Sequence, residues 1–131
     1  MPNDLPPPQH PDKTASPRTV EQRARLCAEL AAERRAENIV ILDLRNLSSV
    51  AEFFVIASAT ADIQVRSTAD RIKDGMQEVF EPVWRREGYE NGQWIILDYV
   101  DIVCHIFLQE KREFYQLDRL WGDAPRITLT T

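Results

Sequence analysis

Glycine is scarce in this sequence, 4 in 131 residues, and no Gly-rich run follows either early apolar stretch, so neither a phosphate-cradling loop nor a dinucleotide fingerprint is available. Cysteine is scarcer still. Cys27 and Cys104 each sit among apolar neighbours, which excludes a disulfide-stapled scaffold and predicts two buried free thiols. No apolar run reaches the roughly 18 residues of a membrane span, and the proline-rich start lacks the apolar stretch of a secretory signal, so a cytosolic setting or an equivalent organelle matrix is expected. Positive charge is also short: 16 Lys and Arg stand against 21 Asp and Glu, a net charge of -5 with pI near 5.0. Such a chain has no broad basic surface to track phosphates, and no direct sequence-specific nucleic-acid binding is expected. It suits a basic protein partner, because complementary potentials speed encounter and fix orientation.

What is present is enough for one folded domain. Hydrophobic residues make up 44% and charged residues 28%, ordinary values for a globular chain. Residues 1–17 carry Pro2, Pro6, Pro7, Pro8, Pro11 and Pro17 with almost no apolar side chains, which predicts a disordered tail. The domain is assigned to 18–122, with 123–131 as a C-terminal extension. Its first helix starts at Ser16 and Pro17, or at Thr19 with Gln22 three residues on as a capping box, and turns Cys27, Leu30 and Ala31 to one face. Residues 39–44 and 53–59 read as buried strands, joined by the polar turn 45–49. Thr60 or Asp62 is then placed to cap a long helix whose Val65, Ala69, Ile72, Met76, Val79 and Phe80 recur at helical spacing. After a short extended piece, 82–86, the turn residues Gly88, Asn91 and Gly92 precede two apolar runs, 94–99 and 102–108, close enough to form an antiparallel hairpin. Phe114, Leu117, Leu120 and Trp121 predict a short helix capping the sheet. The sum is a single α/β domain with a mixed central β-sheet flanked by helices, its central strands buried on both faces.

Chemistry is thinly represented. Asp43, Asp98 and Asp101 lie at strand ends, where carboxylates can hold Mg²⁺ beside a phosphorylated substrate. Paired metal-binding acids, however, usually share one face of one strand, two positions apart, whereas Asp98 and Asp101 lie across a turn. Cys104 and His105 are adjacent and on a strand point to opposite faces, so they form no nucleophile pair; His105 reads as a half-buried histidine with one hydrogen bond. No catalytic, cofactor-binding or metal-binding residue is assigned. Trp84, Trp94, Tyr99, Tyr115 and Trp121 are numerous for a domain of this size, and such rings anchor interfaces; Trp94 and Tyr99 beside the charged hairpin are the best placed.

The run DLRNLSSVAEFFVIASAT from Asp43 to Thr60, with its strand-end Asp, Ser-Ser turn and apolar strand, resembles the ribosomal silencing factor (Iojap-type) family. So do Glu87-Gly88, WIILDYVDIVCHIF from Trp94 and REFYQLDRLW from Arg112. The likeness covers 19–121. It implies a fold similar to nucleotidyltransferases without their catalytic motif, no cofactor, and usually a homodimer. It further implies binding to the large ribosomal subunit through ribosomal protein L-fourteen, with the small subunit sterically blocked and translation repressed. By the same analogy the contact surface is expected at Trp94, Asp98, Tyr99 and Asp101, with Ser58 and Thr60 as weaker members. Three departures stand out: Val100 and Ala59 where the family usually has Gly, and Glu52 where Asp is common. The first takes an easy positive-φ residue from the hairpin tip and leaves its turn type open. Two alternatives remain: a Mg²⁺-dependent nucleotidyltransferase-like enzyme using Asp43, Asp98 and Asp101, and an RNA-associated large-subunit assembly factor.

Overall fold

The computed structural model describes residues 19–80 and 82–129; the expected tail, 1–17, lies outside them. Helix α1 (Val20–Glu33) opens on the Thr19–Gln22 capping box, with Thr19 Oγ1 accepting from the Gln22 N–H at 3.1 Å and Gln22 Oε1 from the Thr19 N–H at 2.8 Å. Strands β1 (Glu37–Asp43) and β2 (Phe53–Ala59) follow, then helix α2 (Asp62–Val79). The α2 N-cap is Ala61, with no side-chain cap. Asp62, expected as a cap, is the first helical residue and instead pairs with Arg66 one turn on at 2.7 Å, a contact that lowers its carboxyl pKa; Thr60 stays exposed ahead of it. Strands β3 (Arg85–Glu87), β4 (Trp94–Asp98) and β5 (Ile102–Leu108) lead to short helices α3 (Gln109–Tyr115) and α4 (Leu117–Leu120) and strand β6 (Arg126–Thr128).

The six strands form one mixed sheet in the order β3-β4-β5-β2-β1-β6. Only β2 and β5 run parallel; every other pair is antiparallel. Every residue of β2 is buried, as expected of a central strand covered on both faces. Helices α1 and α2 pack on one face, where Ala24, Cys27, Ala28 and Leu30 of α1 and Val65, Ala69, Ile72 and Met76 of α2 meet Val55, Ile95, Leu97 and Cys104. The second face has its own cluster around Val40, Leu42, Phe54, Ile56 and Phe107, and among the described residues α3, α4 and the turn after them lie over it.

Two expectations needed revision. The single terminal helix is broken at Gln116, whose φ of 51° ends α3, so Phe114 and Leu120 stay 76% and 74% exposed while Leu117 and Trp121 turn inward. The last residues also contribute more than a tail: Ala124 is buried and β6 completes the sheet edge beside β1.

The β4–β5 hairpin shows what Val100 does in a glycine's place. The Tyr99 N–H donates to Ile102 O at 2.8 Å and the Asp101 N–H to Tyr99 O at 2.9 Å, so Val100 is the centre of a γ-turn with φ 76°. Asp98 Oδ1 accepts the Val100 N–H at 2.8 Å and holds the turn. A β-branched residue is strained in this region, and Val100→Gly is expected to raise stability by about 1 kcal/mol, read as a higher urea midpoint at unchanged slope.

Candidate docking surface

Alternation along β4 sends Ile95 and Leu97 into the helix-covered core and leaves Trp94, Ile96 and Asp98 partly buried on the other face. Their partners on β5 share that face: Phe107 opposite Trp94, His105 opposite Ile96 and Val103 opposite Asp98. On the outer side β3 adds Arg85 opposite Asp98 and Glu87 opposite Ile96, joined to each other at 3.2 Å. The α3–α4 segment covers the β2 side, with Trp121 edge-on to Phe54 at 5.9 Å between centroids, and meets β4 at its first residue, where Tyr115 lies against Trp94. The result is a half-covered sheet face with an apolar floor of Ile96 and Val103, an aromatic end at Trp94 and an acidic end at Asp98, about 13 Å apart along one strand.

Trp94 is held on three sides. Its ring stacks on Phe107 at 4.8 Å, meets Tyr115 at 4.8 Å, and its Nε1–H donates to His105 Nδ1 at 3.1 Å. His105 is only 6% exposed and makes that single hydrogen bond, as expected from the sequence; Nε2 has no partner. Burial lowers its pKa from 6.5 to about 4, against a smaller upward pull from Asp118. Cys104 points to the opposite side, fully buried beside Cys27, whose hydrogen bond together with burial pushes the Cys104 thiol well up. Both cysteines are buried free thiols.

The remaining expected site residues are scattered. Tyr99 is 2% exposed in the helix-side core, because the alternation that exposes Asp98 turns its neighbour inward. Ser58 is fully buried; its Oγ donates to Glu37 O and accepts from Arg112 Nη1, both at 3.1 Å, and Arg112 also binds Asp118 at 2.8 Å. Both Tyr99 and Ser58 lie in the interior of the domain. Asp101 ties the hairpin to α1 through Arg23 at 2.7 Å, and its backbone carbonyl accepts from the N–H groups of Glu52 and Phe53. Thr60 is exposed at the Trp94 end of the sheet, two strands across from Trp94 and roughly 20 Å from Asp98. Of the six residues, Trp94 and Asp98 lie together on one face of one strand. Ile96 and Val103 were not singled out from the sequence, although period-two counting from Trp94 reaches Ile96 and the hairpin register then reaches Val103.

The carboxylates of the enzyme alternative are not gathered either. Asp43 is held by Arg45 at 2.9 and 2.7 Å, which lowers its pKa, Asp98 caps the turn and Asp101 pairs with Arg23. Among the described residues no group of three or more His, Cys, Asp and Glu side chains is placed to hold a metal ion, and no helix is long and apolar enough to cross a membrane.

Fold and surface together define a small α/β domain that presents one half-open sheet face. The family model described as "Ribosomal silencing factor during starvation" matches residues 17–131. The Ribosomal silencing factor RsfS of Bacillus subtilis is 38% identical over 105 residues, covering 80% of this chain and 89% of that protein. The protein of the same name from Halalkalibacterium halodurans is 34% identical over 109 residues, 83% and 93% of the two chains. A Bacillus halodurans crystal structure superposes with a TM-score of 0.72 at 30% identity, covering 83% of this chain and 99% of that one. One from Chromobacterium violaceum has the same fold, with a TM-score of 0.78 at 24% identity over 87% and 94% of the chains. This chain belongs to the ribosomal silencing factor family, a family of regulatory proteins.

Proposed function

We propose that this chain docks on the large ribosomal subunit through ribosomal protein L-fourteen, using the half-open face between Trp94 and Asp98, and sterically keeps the small subunit from joining. Translation is thereby repressed in the cytoplasm, with no reaction catalysed. The observation that carries the reading is the pairing of an aromatic anchor and a carboxylate on one strand over an apolar floor, in a chain of this family. Aromatic rings make strong contacts where they are desolvated, and the acid complements a basic ribosomal protein. The net charge of -5 favours the same partner over bare RNA. When free, the chain is proposed to form a homodimer, for which the exposed Phe114 and Leu120 supply apolar area.

The test is sucrose-gradient sedimentation with purified subunits. The unmodified chain is expected to travel with the large subunit and to reduce joined ribosomes. Asp98→Asn keeps the oxygen that caps Val100 and removes only the charge, so binding is expected to weaken about 10- to 30-fold with the fold intact; Trp94→Ala should weaken it at least as much. Undiminished binding by both face variants sinks this placement, and absence of the chain from large-subunit fractions sinks the docking itself.

A further inference from the structure

Trp94 is only partly buried, and an indole at a surface ordinarily samples several orientations that docking must freeze out. Here the Phe107 and Tyr115 rings bound it on two sides, and one directional bond fixes which way the indole edge points. The Nε1–H is bonded to His105 Nδ1 at 3.1 Å, and His105 is itself wedged among Phe54, with ring centroids 4.6 Å apart edge-to-face, Phe107 and Trp94. The bond dictates the tautomer: Nδ1 accepts, so Nε2 carries the proton, and that buried N–H has no acceptor among the described residues. A residue chosen for stability alone would not leave a donor unsatisfied in an apolar pocket, since an aliphatic side chain fills the space without that penalty. The imidazole is therefore explained by what it does for its neighbour.

We infer that His105 is the positioning residue of the docking face, presenting the Trp94 indole in its binding orientation before the ribosomal partner arrives. This rests on the reading of Trp94 as a docking anchor. His105 does not itself meet the partner; it acts by reducing the freedom Trp94 loses on binding.

Three substitutions separate positioning from packing. In His105→Asn the amide oxygen falls near the place of Nδ1 and can accept the indole proton. In His105→Gln the longer side chain carries its oxygen toward the place of Nε2. His105→Leu has no acceptor. Two readouts are taken on each: the Trp94 indole N–H resonance in ¹⁵N-labelled protein, assigned by its loss in Trp94→Phe, and affinity for purified large subunits. His105→Asn is expected to keep a hydrogen-bonded resonance and bind within about threefold of the unmodified chain. Gln and Leu should shift the resonance, speed its exchange with water and weaken binding about tenfold, with thermal stability of the Leu variant equal or higher. A shifted resonance with unchanged affinity in the Leu and Gln variants overturns the inference, as does equal weakening in Asn and Leu. If Trp94→Ala itself binds normally, the docking reading fails, whereas the indole resonance still reports separately on the His105 bond.

Discussion

Lowering the pH from 6.5 to about 4 is expected to remove about 3 kcal/mol from the stability of this domain, and His105→Leu is expected to abolish most of that loss. In the unfolded chain the imidazole takes up a proton as the pH falls through 6.5, whereas in the folded chain burial withholds it until about pH 4. Across that window the unfolded state binds more protons, so stability declines toward acid. The full contribution is present above pH 6.5 and is gone below about 4. The carboxylates with lowered pKa, Asp43, Asp62 and Asp118, act in a different range. For Asp118 burial alone would raise the pKa, but the hydrogen bonds and charge of Arg112 outweigh it. These three stabilise above their ordinary value of 3.8 and lose that contribution only as the pH drops through their folded values. Urea denaturation of both proteins at a series of pH values between 7 and 4 measures the difference. Parallel profiles would mean that the histidine is not held neutral in the folded state.

Gly88→Ala is expected to cost at least about 3 kcal/mol, close to the whole stability of a marginal domain. Two effects combine at this position. Its φ of +83° belongs to a region that side chains disfavour, and a Cβ there would lie 2.0 Å from the carbonyl oxygen of Trp94. That oxygen is backbone at the start of β4, so it cannot swing away as a side-chain tip would. Relief requires the strand to move, and the strand carries Trp94, Ile96 and Asp98. Circular dichroism melting should show the loss of stability; any Gly88→Ala protein that still folds should bind large subunits poorly. Near-normal stability would mean that the β3–β4 turn tolerates another path.

Local signals were legible where one physical cause acts alone. The Thr19–Gln22 box, the buried run of β2, the inner face of α2 and the β4–β5 hairpin each follow from capping chemistry, period or spacing, and each stands where those signals placed it. Strand β6 was not legible, because Arg126, Ile127 and Thr128 offer one apolar residue and form a strand only when the β1 edge is there to pair with. The break at Gln116 escaped for a related reason: helical spacing through 114–121 looked continuous, and nothing local in a glutamine announces a positive φ. At the site, residue type outran geometry. Tyr99 and Ser58 have the chemistry of contact residues, but alternation sends one into the helix-side core and the other into the Arg112–Asp118 network. Trp94 and Asp98 are four apart on a strand, and that spacing alone puts them on one face.

The parallel pairing of β2 with β5 at the centre of the sheet has a consequence for the birth of the protein. The antiparallel pairs β1–β2, β3–β4 and β4–β5 join strands close in sequence, but β2 must wait for a strand about 40 residues downstream before its inner edge is satisfied, and the outer edge of β1 waits longer still, for β6. At synthesis rates of about 5–20 residues per second, α1, β1 and β2 stand complete for several seconds with a strand whose one polar residue is Ser58 open on one side. During that interval nascent chains on neighbouring ribosomes of one message have a route to edge-to-edge pairing that closes only when β5 arrives.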